Sequence, residues 1–451
     1  MSEKTKRPPT LLVVFGISGD LSRRYLLPSL LAVLKAGQLP SKFKILGISR
    51  RDISALEILG QECQDLAPLV EVFKMDMAQN AGYQNLKNKL ETIKGEFGAR
   101  VQVIFDFAVP PAAVLSITRY LGEAGLNSPE AKLMLEKPFG TDLESARELI
   151  DETSKFFKED QIYRIDHYLA KEMAQNIAVF LNSNALFRDV WNARFVEKIE
   201  VIAVEEIGIE GRPAFYEQTG ALRDVVQSHL MQLAALVLME PCSEIFAFTE
   251  LPERRLAAMR SLQLPPADQF TAGVIRAQYY GYRQEVGNPD TTTETFVALT
   301  LNSNDPRWKA TPIHLIAGKN LNQKTTEIRI HFKKDHASEA NLLTLYIQPQ
   351  EGIELELWVK EPGFEHKLQK RNLSFSYDKH FGRLPGAYEQ VLVDAMRGNR
   401  SLFASSEEVL ASWAVFQPVL QRWSMHSTDL KFYKPGSTIE EVLSSSQTLA
   451  Q

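Results

Sequence analysis

Leu11-Leu12-Val13-Val14-Phe15-Gly16-Ile17-Ser18-Gly19-Asp20-Leu21 is the stretch that decides the fold. Five apolar residues in a row, with no polar face, suit a strand buried on both sides, the condition of parallel strands held between helix layers. Two glycines three apart then turn the chain into an amphipathic stretch, Leu21–Ala36, with Gly37 placed to stop the helix. A strand, a glycine turn and a helix start bring backbone N–H groups and the positive end of a helix to one place, which is how a pyrophosphate is held. Gly16, Ser18, Gly19, Asp20 and Leu21 are therefore the candidate cofactor loop. The pattern falls short of a full G-x-G-x-x-G fingerprint; its place after the first strand gives it weight.

The alternation continues outward. Apolar runs at Phe43–Ile48, Val101–Phe107, Leu133–Leu135 and Ile162–Ile165 are interleaved with amphipathic stretches such as Leu143–Phe157. Residues 1–172 are thus expected to form an α/β domain, a Rossmann-like doubly wound sheet that binds a dinucleotide. After Phe195 strands follow one another: Val196–Val204, Val274–Tyr279, Thr295–Leu301, His314–Ala317, Glu327–Phe332, Leu342–Ile347 and Ile353–Val359. Residues 173–451 read as an α+β domain with a large, mostly antiparallel sheet, covered on one face by helices over Ala221–Met239, Ala387–Met396 and Glu407–Leu420. The face left free predicts a homodimer or homotetramer.

Composition narrows the partners. A chain of 451 residues exceeds what one core usually serves. With 51 basic and 56 acidic side chains and a net charge of -5, there is no broad cationic field for nucleic acid or an anionic membrane, so any phosphate must be gripped locally. Cys63 and Cys242 are too few for a disulfide framework and read as buried, reduced thiols. Met1–Thr10 is polar and prolyl with no apolar leader core, and no apolar run approaches the ~18 residues of a membrane span, so a cytoplasmic location is expected. The Ser- and Thr-rich tail from Gly436 reads as a fraying end.

The second apolar run ends in Gly47-Ile48-Ser49-Arg50-Arg51-Asp52, where this kind of domain meets the adenosine ribose. Arg50 and Arg51 supply cations for the 2′-phosphate of NADP, while Asp52 leaves an NAD reading open. Further on, Arg164-Ile165-Asp166-His167-Tyr168-Leu169-Ala170-Lys171-Glu172 packs charge and aromatic rings into one strand-to-helix corner. A second set, Arg223-Asp224-Val225-Val226-Gln227-Ser228-His229, opens a helix. An imidazole and a carboxylate from two such sets suit proton abstraction from a hydroxyl, with no metal required, although spacing alone does not bring them together.

These motifs, with Glu136-Lys137-Pro138-Phe139-Gly140, Gly318-Lys319-Asn320-Leu321 and Ala387-Tyr388-Glu389, strongly resemble the glucose-6-phosphate dehydrogenase family, whose signature R-I-D-H-Y-L-G-K differs here only at Ala170. The resemblance implies oxidation of glucose 6-phosphate at C1 to 6-phosphogluconolactone, the entry to the pentose phosphate pathway, with hydride passing to NADP. By the same resemblance His229 matches the general base and Asp166 the carboxylate paired with it. His167, Tyr168 and Lys171 match the phosphate-binding residues, Glu205 and Asp224 those that contact sugar hydroxyls, and Lys319 a substrate-binding lysine. Lys324 falls where some members have a basic residue, and Lys137 matches the lysine between coenzyme and substrate. The chain departs from the pattern at Tyr25, which stands where many members have a functional lysine, so that either Arg24 substitutes from next door or the site manages with fewer cations and a higher substrate KM, and at Ser228, where asparagine is frequent.

Overall fold

The computed structural model describes residues 7–447 apart from 99, 245, 247, 267–268, 335–338 and 426–428, so the first six residues of the polar N-terminal stretch and the last four of the tail lie outside the described residues. The described chain divides into two compact units. One comprises the residues up to Gly140, Glu144–Ala170 and Pro385–Ser406; the other comprises Thr141–Leu143, Lys171–Leu384 and the residues from Glu407 on.

In the first unit β1 (Thr10–Phe15), β2 (Phe43–Ser49), β3 (Val70–Lys74), β4 (Gln102–Phe107), β5 (Ala131–Leu135) and β6 (Ile162–Ile165) form a parallel sheet in the order 3-2-1-4-5-6. This is the doubly wound dinucleotide-binding arrangement expected from the sequence. The absence of a polar face on β1 has its cause here: Leu12 and Val14 enter one core with Leu27, Leu30 and Ile45, and Leu11, Val13 and Phe15 enter the other with Leu86, Leu90 and Ile117. Each fully buried aliphatic side chain contributes roughly 1.5–3 kcal/mol. The helix after the glycine turn ends as read: Gly37 takes φ +64°, its N–H bonds to Leu34, and Gln38 N–H bonds to Val33. β3 escaped the sequence reading because it is a short edge strand whose Glu71 and Lys74 break the apolar run.

One expectation is overturned. The helix over Ala387–Arg397, read as a cover for the second sheet, packs in the first unit against the helix Leu27–Lys35, and Val391, Leu392 and Ala395 join the Leu27–Leu30 core. Polar contacts fix it: Gln102 Nε2 donates to Met396 O at 2.8 Å, and Lys132 Nζ donates to Ala395 O at 2.7 Å. The chain then adds the short antiparallel strand Phe403–Ala404 beside β6. The apolar face of this helix was legible; its destination was not, because either unit offers a core that such a face can enter.

The second unit holds a ten-stranded sheet. Its main order is Leu368–Ser376, Gly352–Lys360, Leu342–Gln348, Thr325–Phe332, Val196–Val204, Ile313–Gly318, Phe296–Ser303, Val274–Tyr279 and Leu430–Tyr433. Pairing is antiparallel except between Val196–Val204 and Ile313–Gly318 and between Val274–Tyr279 and Leu430–Tyr433. The two edge strands were not read from sequence. Leu368–Ser376 is mostly exposed, and Leu430–Tyr433 has only four residues. The helix expected over Ala221–Met239 begins with wide π turns over Leu222–Leu230 and continues as Met231–Leu238. The tail read as fraying is helical over Ile439–Gln447, with Ile439 and Val442 buried. Both cysteines are free; Cys63 is buried, but Cys242 is only half-buried, in a connection rather than a core. Among the described residues no helix is long and apolar enough to cross a membrane, and no cluster of side chains could hold a metal ion.

Candidate active site

In the first unit the glycine turn is dictated by crowding. Gly16 takes φ +82°, and a Cβ there would lie 2.4 Å from the carbonyl oxygen of Ala108, which follows β4. Only glycine fits that conformation so close to another backbone. Gly19 N–H closes the turn onto Gly16 O at 2.8 Å, and Ser22 Oγ donates to the same carbonyl at 3.1 Å. Ile17 is buried, whereas Ser18 and Leu21 are half-buried. Asp20 and Arg24, both exposed, form an ion pair of 2.7 Å, so Arg24 is engaged one turn along its own helix.

Arg50 and Arg51 are exposed at the carboxyl end of β2, and among the described residues neither has a carboxylate partner. Asp52, the residue that kept the NAD reading open, faces Lys74 at 3.7 Å. Two unneutralised cations at this strand end fit a phosphate better than a hydroxyl.

At the end of β5, Glu136 and Lys137 are half-buried, and Tyr388 donates its hydroxyl to Oε1 of Glu136 at 3.0 Å. Tyr25 stacks on Tyr388 with ring centroids 5.7 Å apart. Burial pushes the Glu136 carboxyl up to about 7 against the opposing effects of Tyr388 and Lys137. Asp106, at the end of β4, is raised well above the usual carboxylate range by burial and by Glu136. This carboxyl pair was missed at the sequence level, since nothing in β4 distinguishes one acid in an apolar strand from a satisfied core residue.

β6 ends in the signature corner. Asp166 is buried and accepts the N–H of Tyr168 on Oδ1 at 3.0 Å, so its carboxylate is built into the turn. The rings of His167 and Tyr168 lie 4.9 Å apart. Arg164, at the head of the corner, is structural: buried to 2% exposure, it donates to both oxygens of Glu159 at 2.8 and 3.1 Å. Ala170 is buried, which a residue with only a methyl group tolerates.

In the second unit the parallel neighbours Val196–Val204 and Ile313–Gly318 end side by side, with Val204 opposite Gly318. The next residues, Glu205 and Lys319, are therefore adjacent. Lys319 Nζ donates to Glu205 Oε2 and lies 5.5 Å from the ring centroid of Tyr216. Tyr216 is buried, and its hydroxyl has no hydrogen-bond partner among the described residues. The Leu222–Leu230 helix packs on these same two strands and carries Asp224, half-buried, and His229, buried. Lys324 is exposed between strands. Lys171 is half-buried in extended conformation at the start of the helix Glu172–Ser183. Glu351, which sequence reading passed over, accepts the N–H of Met173 at 2.6 Å; burial raises its carboxyl while that N–H and Lys171 pull it down. It follows Pro349 and Gln350 in a connection without a motif, so only the fold reveals it.

The chain matches "Glucose-6-phosphate dehydrogenase, NAD binding domain" over residues 13–176 and "Glucose-6-phosphate dehydrogenase, C-terminal domain" over residues 178–446. It is 36% identical to glucose-6-phosphate 1-dehydrogenase of Chlamydia muridarum, covering 92% of this chain and 91% of that one. It is 34% identical to the enzyme of that name from Dickeya dadantii, covering 94% of both chains. Its structure is similar, with a TM-score of 0.89 at 28% identity and 99% coverage of both chains, to a solved glucose-6-phosphate dehydrogenase in complex with its substrate glucose-6-phosphate. Two matched domains in order and this extent of identity show that the chain belongs to the glucose-6-phosphate dehydrogenase family of oxidoreductases.

Proposed function

We propose that this chain oxidises glucose 6-phosphate at C1 to 6-phosphogluconolactone with NADP as the acceptor, His229 acting as the base. The observation that carries this reading is the convergence of Glu205 and Lys319, at the ends of two parallel strands, with a helix packed on those strands that presents Asp224 and His229. Oxidation of a hemiacetal carbon needs a base for its hydroxyl proton. A neutral imidazole with its pKa near the working pH contributes roughly 10²–10⁴-fold in that role. Asp166 supplies the accompanying carboxylate, Glu205, Asp224 and Lys319 bind the sugar, and Lys324 adds a basic group at the edge. His167, Tyr168 and Lys171 take the phosphate, so that binding energy orients C1.

The glycine turn, Lys137 and the cations Arg50 and Arg51 are the groups that would hold NADP, which when bound accepts hydride from C1. NAD is the weaker reading, because Asp52 faces Lys74 while the two arginines have no carboxylate partner among the described residues. We place the enzyme in the cytosol, where its two free thiols stay reduced. A homodimer or homotetramer through the second sheet is part of the same reading. The surface it would use is the sheet face that carries Thr300, His314, Glu200 and Arg329 in direct cross-strand register.

The test is absorbance of reduced cofactor on mixing protein, NADP and glucose 6-phosphate, with galactose 6-phosphate and glucose as controls. His229→Asn should keep substrate affinity and lose kcat by roughly 10²–10⁴-fold. A flat trace with the parent protein points instead to a sensor that binds without turnover.

A further inference from the structure

The helix that carries Asp224 and His229 does not cap itself. Its first residues take their hydrogen bonds from a different part of the chain. Ala221 N–H donates to the backbone carbonyl of Glu294 at 3.1 Å, and Leu222 N–H donates to the Glu294 carboxyl Oε1 at 3.0 Å. Glu294 is 4% exposed and sits two residues before the strand Phe296–Ser303. The preceding helix, Pro213–Ala221, is broken at Gly220, which takes φ +61° and ψ -178°. A Cβ on Gly220 would meet Glu294 Oε1 at 2.4 Å and its carboxyl carbon at 2.7 Å. Glycine is therefore required twice at that position, for its left-handed backbone and for the room it leaves the carboxyl.

The residue after Glu294 ties down the other side of the sugar-binding corner. Thr295 O accepts the N–H of Lys319 at 2.9 Å. Thr295 Oγ1 shares a 2.9 Å hydrogen bond with the hydroxyl of Tyr433, which also donates to Lys319 O at 2.6 Å. Two adjacent residues thus hold the helix of Asp224 and His229 and the strand end of Lys319. A helix whose first N–H groups are answered by one rigid acceptor cannot slide or rotate without breaking that bond.

We infer that Glu294 is a positioning residue: its carboxyl fixes the start of the helix bearing Asp224 and His229 against the strand end bearing Lys319, and so sets the geometry in which the sugar is bound. It acts through these groups and does not itself touch substrate. Burial raises the carboxyl, and the Leu222 N–H, with Arg223 and Arg276 beyond it, opposes that rise. A side-chain amide of the same length keeps the acceptor oxygen that Leu222 uses.

The inference rests on the proposed reading of this corner, and its test separates the two. Glu294→Gln keeps an acceptor for Leu222, whereas Glu294→Asp withdraws it by one methylene. Thermal melting first establishes that each variant is folded, and glucose 6-phosphate binding by calorimetry is then measured beside KM and kcat. Glu294→Gln is expected to stay within threefold of the parent. Glu294→Asp is expected to weaken substrate binding at least tenfold and to lower kcat further. Gly220→Ala, which disturbs the same contact from the other side, is expected to reproduce the pattern of Glu294→Asp. A folded Glu294→Asp with parental substrate affinity and kcat overturns the inference. If the base assignment alone is wrong, His229→Asn stays active while the calorimetric loss in Glu294→Asp remains.

Discussion

Tyr388 donates its hydroxyl to Oε1 of Glu136 at 3.0 Å, across 252 residues of sequence, and so reaches into the end of the dinucleotide-binding sheet. Glu136 is held up to about 7 by burial, above its ordinary value of 4.5, with Tyr388 and Lys137 pulling it down and Asp166 pushing it up. Asp106 on β4 is raised by its own burial and by the charge of Glu136. A carboxyl raised by folding holds its proton in the native state after the unfolded chain has released it. Its contribution to stability is complete below about 4.5 and is lost as pH rises through about 7. Glu136→Gln should flatten the stability profile between those values by an amount on the order of 3 kcal/mol. Tyr388→Phe should push the carboxyl higher still and move the loss to higher pH. Urea denaturation at a series of pH values checks both; a Gln variant with the parental slope contradicts the assignment.

Arg50→Ala removes a cation at the end of β2 that has no carboxylate partner among the described residues. A charge-assisted contact to phosphate is worth about 1.5–3 kcal/mol, so KM for NADP should rise roughly 10–100-fold while KM for NAD changes little. Equal effects on both cofactors refute a phosphate-reading role.

Lys171→Ala should raise KM for glucose 6-phosphate by tenfold or more and leave KM for NADP near its parental value. Because Lys171 also lowers the Glu351 carboxyl, its loss lets that group rise. Glu351→Gln in the Lys171→Ala background should not restore substrate affinity if the missing element is the cation itself. Initial-rate kinetics with each substrate varied in turn decide the point.

Away from the site, Arg255 and Glu408 form a 2.8 Å ion pair that is 1% and 0% exposed. Glu408→Ala removes the carboxylate that faces a buried guanidinium and should cost about 3–5 kcal/mol. The double variant Arg255→Met, Glu408→Leu should recover much of that, because it removes both desolvation penalties. Denaturation midpoints of the three variants give the result; equal losses in single and double variants contradict it.

Much of the fold was legible because local pattern and tertiary burial agree. Leu11 to Phe15 are apolar on both faces and are buried on both faces; Gly16 is glycine because the Ala108 carbonyl leaves no room for a Cβ. The signature corner was legible for the same reason, since Asp166 bonds within its own turn. What escaped depends on distant partners. Glu294 and Glu351 are single acids in unremarkable segments, each answering an N–H that lies more than 70 residues away. Strand Leu368–Ser376 escaped because an exposed edge strand carries little apolar signal. The helix Ala387–Arg397 was seen and misplaced, because amphipathicity reports that a face is buried and not against what.

That helix and the strand Phe403–Ala404 have a consequence for how the protein is made. A ribosome that has delivered β1 to β6 has not yet delivered the segment that completes their core beside Leu27 and Leu30. The first unit to emerge is therefore among the last to be finished. Nascent chains released before Ala387 should expose an apolar groove to chaperones, and a stop codon placed there should yield protein that aggregates.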